Sequence, residues 1–135
     1  MNSTTTLFAR LGLSLIFILS GWQKIAAYAG TQQYMEAMGV PGALLPLVIL
    51  LELGGGLAIA AGLFTRWIAA AFAVFALASG FLFHGSPEEQ TALLKNIAIA
   101  GGFLMLVAHG AGRFSLDGLL ARHRGSDHAQ APAAA

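Results

Sequence analysis

The 135-residue chain has no cysteine. That absence excludes disulfides, thiol redox chemistry, cysteine-ligated zinc, iron–sulfur clusters and covalent c-type haem. Charge is also scarce: 10% of residues are Asp, Glu, Lys or Arg, against roughly 25% in ordinary soluble domains. The formal net charge is only +1. No basic stripe with interleaved aromatics is present, so the sequence offers nothing to nucleic acid. What is abundant is apolar surface, at 57% of residues. A soluble globule this short buries too small a share of its chain to hide that much. A lipid bilayer solvates it instead.

The length allows one domain. A spanning helix needs ~20 mostly apolar residues, and four stretches qualify: 7–27, 43–63, 67–84 and 92–109. The expected fold is all-α, an integral membrane four-helix bundle of two helical hairpins over residues 1–118. Residues 119–135, ending in a low-complexity stretch, are expected to form a disordered cytoplasmic tail. In the first connection Thr31–Met38 reads as a short interfacial helix, stopped by Gly39, with Pro41 opening the next element. The second connection is only Phe64-Thr65-Arg66, a tight hairpin. In the third, Ser86 reads as an N-cap, Pro87 as the first helical residue and Glu89 as the partner of a capping box.

A cleaved signal peptide is the competing reading of the first stretch, since Ala27-Tyr28-Ala29 has small-x-small form. Lys24 lies between the apolar run and that site, and the n-region is barely basic, which favours a retained span. Arg10, Arg66, Arg113, Arg122 and Arg124 fall on the side of the termini, and Lys24 and Lys95 on the other. That bias places both termini in the cytoplasm. A weak repeat relates Leu50-Leu51-Glu52 to Leu93-Leu94-Lys95, each followed by small residues.

Charge inside a span carries the functional signal, because it costs roughly 3 kcal/mol unless paired or hydrated. Glu52 is the clearest case, ~13 Å into its helix at 1.5 Å per residue. Its helical face holds Val48, Gly55, Gly56 and Ile59, so it is expected to point inward. Lys24 and Lys95 lie on the same side and either can reach it. Arg10, Ser14, Gly21 and Lys24 form a polar stripe on the first helix, and Lys95, Gly102 and His109 one on the fourth. The candidate polar cluster is Glu52, Lys24, Lys95, Gln23, Asn96, His84 and Arg10. The bland alternatives are snorkelling for the basic residues near helix ends and a register-locking ion pair for Glu52.

One carboxylate facing two ammonium groups leaves a single positive charge, suited to a quinone head, a phenolate or a small oxyanion. Alternatively one lysine is neutral and moves protons. His84 and His109 should be separated by ~25 Å of membrane, so they cannot share one haem iron, and no metal site is expected. His123 and His128 read as solvated. The phenylalanines have lipid contact or packing as their default role, and a quinone slot would draw on some of them.

Several segments together resemble the DoxX family. These are Ala9-Arg10-Leu11-Gly12 with Ser20-Gly21 and Lys24, Gly39-Val40-Pro41, and Glu52-Leu53-Gly54-Gly55-Gly56. Gly62-Leu63-Phe64-Thr65-Arg66, Phe83-His84, Lys95-Asn96 and Gly112-Arg113-Phe114-Ser115-Leu116-Asp117 continue the likeness, in order, over residues 7–118. The resemblance implies a four-helix bacterial inner-membrane protein. Members have been linked to thiosulfate oxidation with quinone as acceptor, to oxidative-stress complexes and to quinone or catechol response. It implies the placement of Arg10, Lys24, Glu52 and Lys95, not their roles, and leaves the cofactor open.

Three functions follow as expectations. One is a redox-linked subunit that binds a quinone or similar molecule at the Glu52 cluster. The second is a small proton-coupled exporter. The third is a membrane anchor for a soluble partner, docked through the tail or the first loop. Small-residue faces also permit a homo-oligomer.

Overall fold

The computed structural model describes residues 2–130. Among them there is helix and no strand. Helix α1 (Ser3–Ala26) is capped by Asn2, whose side chain accepts from the backbone N–H of Thr4 and Thr5. One residue later α2 (Tyr28–Ala37) begins. Helix α3 (Gly42–Ala61), α4 (Thr65–Phe83) and α5 (Pro87–His109) follow, and α6 (Leu116–Gln130) ends the described chain. Helices α1, α3, α4 and α5 are each long and apolar enough to cross a membrane. The expected four-span all-helical bundle is what forms.

Helices α1 and α3 pack along their length, as do α4 and α5, giving two hairpins. Glycine sets the first pairing. A Cβ on Gly21 would stand 2.9 Å from the Leu53 backbone nitrogen, and one on Gly56 would meet Ile18 at 2.8 Å. Only a bare backbone allows that approach. The hairpins meet at a ring cluster, in which Phe17 lies 4.5 Å from Phe72 and 5.7 Å from Phe103, centroid to centroid. These three rings are buried, whereas Phe81, Leu50 and Val74 are exposed on the outer faces. The outside is apolar because lipid, not water, is its solvent.

Three local expectations need correction. Leu116–Gln130 is helical, where disorder was expected from 119; Ser115 caps it by accepting the Gly118 N–H at 2.9 Å. Residues 131–135 lie outside the described residues. Ser86 makes no side-chain cap bond, because the Glu89 N–H donates to the Ser86 carbonyl at 3.1 Å in a 3-10 turn, and the Glu89 carboxylate turns to His84 Nδ1 at 3.4 Å. The buried face of α5 is Ala100, Phe103 and Leu106, so His109 is exposed at the helix end. The short helix expected in the first loop forms as α2, and it also packs over one end of the bundle, with Met35 buried and Tyr34 stacked on Phe83 at 5.5 Å.

Helix α3 is continuous but not uniform. Its first turn is 3-10, Gly42–Leu44, and Leu50–Gly55 is a π-helix. Such single-turn widenings are rare and concentrate at functional sites. Here it contains Glu52.

Candidate functional site

Two polar clusters interrupt the apolar bundle, one at each end. The first gathers where the start of α1, the α3–α4 turn and the start of α6 meet. Arg10 is fully buried there. Its guanidinium donates to the carbonyls of Ile59 at 3.1 Å, Ala60 at 2.8 Å and Phe114. The first two belong to the last turn of α3, where carbonyl capacity is left unused; Ile59 O also accepts the Gly62 N–H at 3.1 Å. Asp117 does the same for the next helix, accepting from the N–H of Phe64 at 2.8 Å and Thr65 at 2.9 Å. The turn between them needs left-handed backbone at Gly62 (φ 73°), where a Cβ would fall 2.3 Å from that of Ser115. Arg10 therefore ties backbone ends together and takes no part in the Glu52 cluster, contrary to the sequence expectation.

The second cluster lies at the opposite end. Lys24, in the last turn of α1, places Nζ 3.1 Å from Glu52 Oε1 in hydrogen-bond geometry and 2.9 Å from Oε2. The Oε2 contact is electrostatic without an aligned hydrogen bond, so that buried oxygen keeps unused acceptor capacity. The Glu52 side chain is 5% exposed and that of Lys24 26%. The carboxylate is thus inside the bundle, and the ammonium bridges it to the rim.

Beside this pair is a cavity of about 320 Å³. Each spanning helix and α2 contribute to its walls. Phe17, Phe75, Phe83, Val48 and Ile99 supply apolar lining; Lys24, Glu52, Lys95, Asn96, His84 and Tyr34 supply polar groups. Lys95 faces it with no hydrogen-bond or ion-pair partner among the described residues. Asn96 also holds the α4–α5 hairpin, donating to Ala76 O at 3.1 Å and Ser79 Oγ at 3.3 Å. Five of the seven candidate residues thus converge on one space. Gln23 is exposed on α1 and does not line it, because the residue next to an inward lysine on a helix points elsewhere.

The size and character of the cavity fit small-molecule sites, which are mostly apolar with a few placed polar groups. Fully ionised, its carboxyl and two amine groups would leave an excess of one positive charge. Among the described residues no three His, Asp or Glu side chains converge as metal ligands would. Sequence reasoning missed the π turn, although Gly54-Gly55-Gly56 beside a membrane acid was its available sign. It also missed Asp117 as a cap, since the partner N–H groups lie 52 and 53 residues away.

Fold and site together define a small multi-pass helical membrane protein with an internal polar pocket. The chain belongs to the DoxX family, whose model matches residues 5–85. It is 55% identical over 123 residues to the inner membrane protein YqjF of Escherichia coli strain K12, covering 89% of this chain and 95% of that protein. It is 34% identical over 121 residues to the inner membrane protein YphA of the same strain, covering 82% of this chain and 86% of that one. No solved structure matches it.

Proposed function

We propose that this chain is an inner-membrane ligand-binding protein. It holds a quinone, or a comparably flat molecule with anionic or hydrogen-bond-accepting oxygens, in the cavity beside Glu52, and serves as the membrane subunit of a redox process. The observation that carries the reading is one apolar chamber walled by all four spans, with a lysine–glutamate pair and a second, unpartnered lysine on its surface. The rings of Phe75, Phe83 and Tyr34 suit a planar body, and Lys95 suits an oxygen-bearing head. The names of both relatives support the inner membrane. The arginines near the Arg10 end support cytoplasmic termini. Pairing of Glu52 with Lys24 speaks against a proton-coupled exporter, whose acid must be free to load and release a proton.

The test is binding of a short-chain quinone to the purified chain, read by native mass spectrometry and by fluorescence titration. Binding to the wild type is expected, with at least ~10-fold weaker binding for Glu52→Gln, as loss of charge-assisted contacts implies. Wild-type protein that takes up no quinone, or a variant that binds equally well while remaining folded, removes the proposal.

A further inference from the structure

Helix α6 leaves the bundle with little to pack against. Its first turn is fixed: Asp117 is bonded to Phe64 and Thr65, the Asp117 N–H donates to Gly62 O at 2.9 Å, and Arg10 holds Phe114 O. These anchors lie where α1 and α4 start and α3 ends, the level at which the spans leave the hydrocarbon. Beyond them the helix carries Gly118 and Gly125 in 15 residues. A helix that short with two glycines is marginal in water without tertiary packing.

Something must therefore cover its apolar side. Leu116, Leu119, Leu120 and His123 stand at i, i+3, i+4 and i+7, one face of the helix. The three leucines are each more than 40% exposed. At the same end of the bundle Phe114 is 51%, Phe64 62% and Trp67 82% exposed, and Phe64 is tied to the first turn of α6 through Asp117. Trp67 is of the type enriched at membrane–water interfaces. Arg122 and Arg124 flank the leucine face about 100° to either side, and Arg113 precedes it. Of the acids, Asp117 is already engaged in the α4 cap, and Asp127 lies more than a turn beyond Leu120.

From this arrangement we infer that the part of α6 over residues 116–124 is an interfacial segment, which lies on the bilayer surface with its leucines in the headgroup–acyl boundary and its arginines on anionic lipid headgroups. The occupant of the exposed face is the leaflet that already surrounds the spans. Apolar depth and flanking basic residues are the two features such helices combine. The inference is independent of the cavity and of any ligand there.

The absence of native cysteine makes the test direct. Full-length Leu119→Cys, Leu120→Cys and Ala121→Cys proteins are spin-labelled singly and reconstituted in phosphatidylcholine vesicles with and without phosphatidylglycerol. Collision with oxygen and with a water-soluble nickel complex then reports depth. Labels at 119 and 120 are expected in the oxygen-rich zone and the label at 121, on the opposite face, in the aqueous one. Phosphatidylglycerol should deepen the first two. Arg113→Gln with Arg124→Gln should weaken surface attachment by about fivefold per arginine. Equal aqueous accessibility at all three positions overturns the inference. So does spin–spin broadening between copies, which would put a second chain on the leucine face. Indifference to both phosphatidylglycerol and the arginines overturns the headgroup contact.

Discussion

The two polar clusters of this bundle are made of similar parts and differ in how those parts are used. At one end Arg10 spends its donors on backbone carbonyls of α3 and of the segment before α6. At the other, Lys24 meets a side-chain carboxylate that borders a cavity. Each holds a buried atom without an aligned hydrogen bond, Nε of Arg10 and Oε2 of Glu52. The difference lies in the surroundings. Arg10 is enclosed by packed chain, so its role ends with stitching helix termini together. Glu52 borders space for a small molecule. In a membrane protein a buried charge alone therefore does not mark a binding site. A buried charge beside room for a ligand does.

If that contrast is right, substitutions at the two ends should separate stability from binding. The largest effect is expected for Arg10→Met, which removes three charged hydrogen bonds and leaves the Ala60 and Phe114 carbonyls without their donor. Thermal unfolding in detergent should show a loss of about 3–5 kcal/mol. A variant that melts within a degree of wild type would dissolve the distinction. Asp117→Ala deletes the cap of α4 and one tether of α6, with an expected loss of about 2 kcal/mol by the same measurement. Little change there would mean that Thr65 and Phe64 find other acceptors. The smallest change in stability is expected at the opposite end. Lys95→Gln should leave unfolding within about 0.5 kcal/mol, as at surface sites without partners. The same variant should weaken quinone binding several-fold, so a folded variant with unaltered binding would take Lys95 out of the pocket.

Much of this was legible in the chain before the structure. Composition and four apolar stretches dictated the spans, because hydrocarbon thickness fixes helix length. Glu52 announced itself since acid in mid-span demands a neutralising neighbour, and Lys24 was a candidate by position. The sequence did not distinguish Lys24 from Lys95 as the partner. That choice rests on the close α1–α3 approach at Gly21 and Gly56, a tertiary fact. Arg10 shares the helical stripe of Lys24 and Gln23 is its polar neighbour, yet Gln23 faces outward and Arg10 lies at the far end of the bundle. The Ser86–Glu89 capping box does not form because the Glu89 N–H closes a 3-10 turn onto the Ser86 carbonyl and His84 offers the carboxylate a competing partner. The π turn left only a compositional sign, three glycines beside a membrane acid, because its hydrophobic pattern differs from that of an α-helix by a single residue.

That single residue reaches further than the pocket. A π turn is an α-helix carrying one residue in surplus, and each residue turns the helix by about 100°. Every residue after Leu50–Gly55 therefore faces a direction set by the surplus, including the bare Gly56 backbone against Ile18 and the Ile59 side chain in the core. Deleting the extra residue would swing the whole later half of α3 out of phase with α1. The pocket's acid and the seam between two helices are thus inherited as one unit, and neither can be redesigned without re-phasing the other.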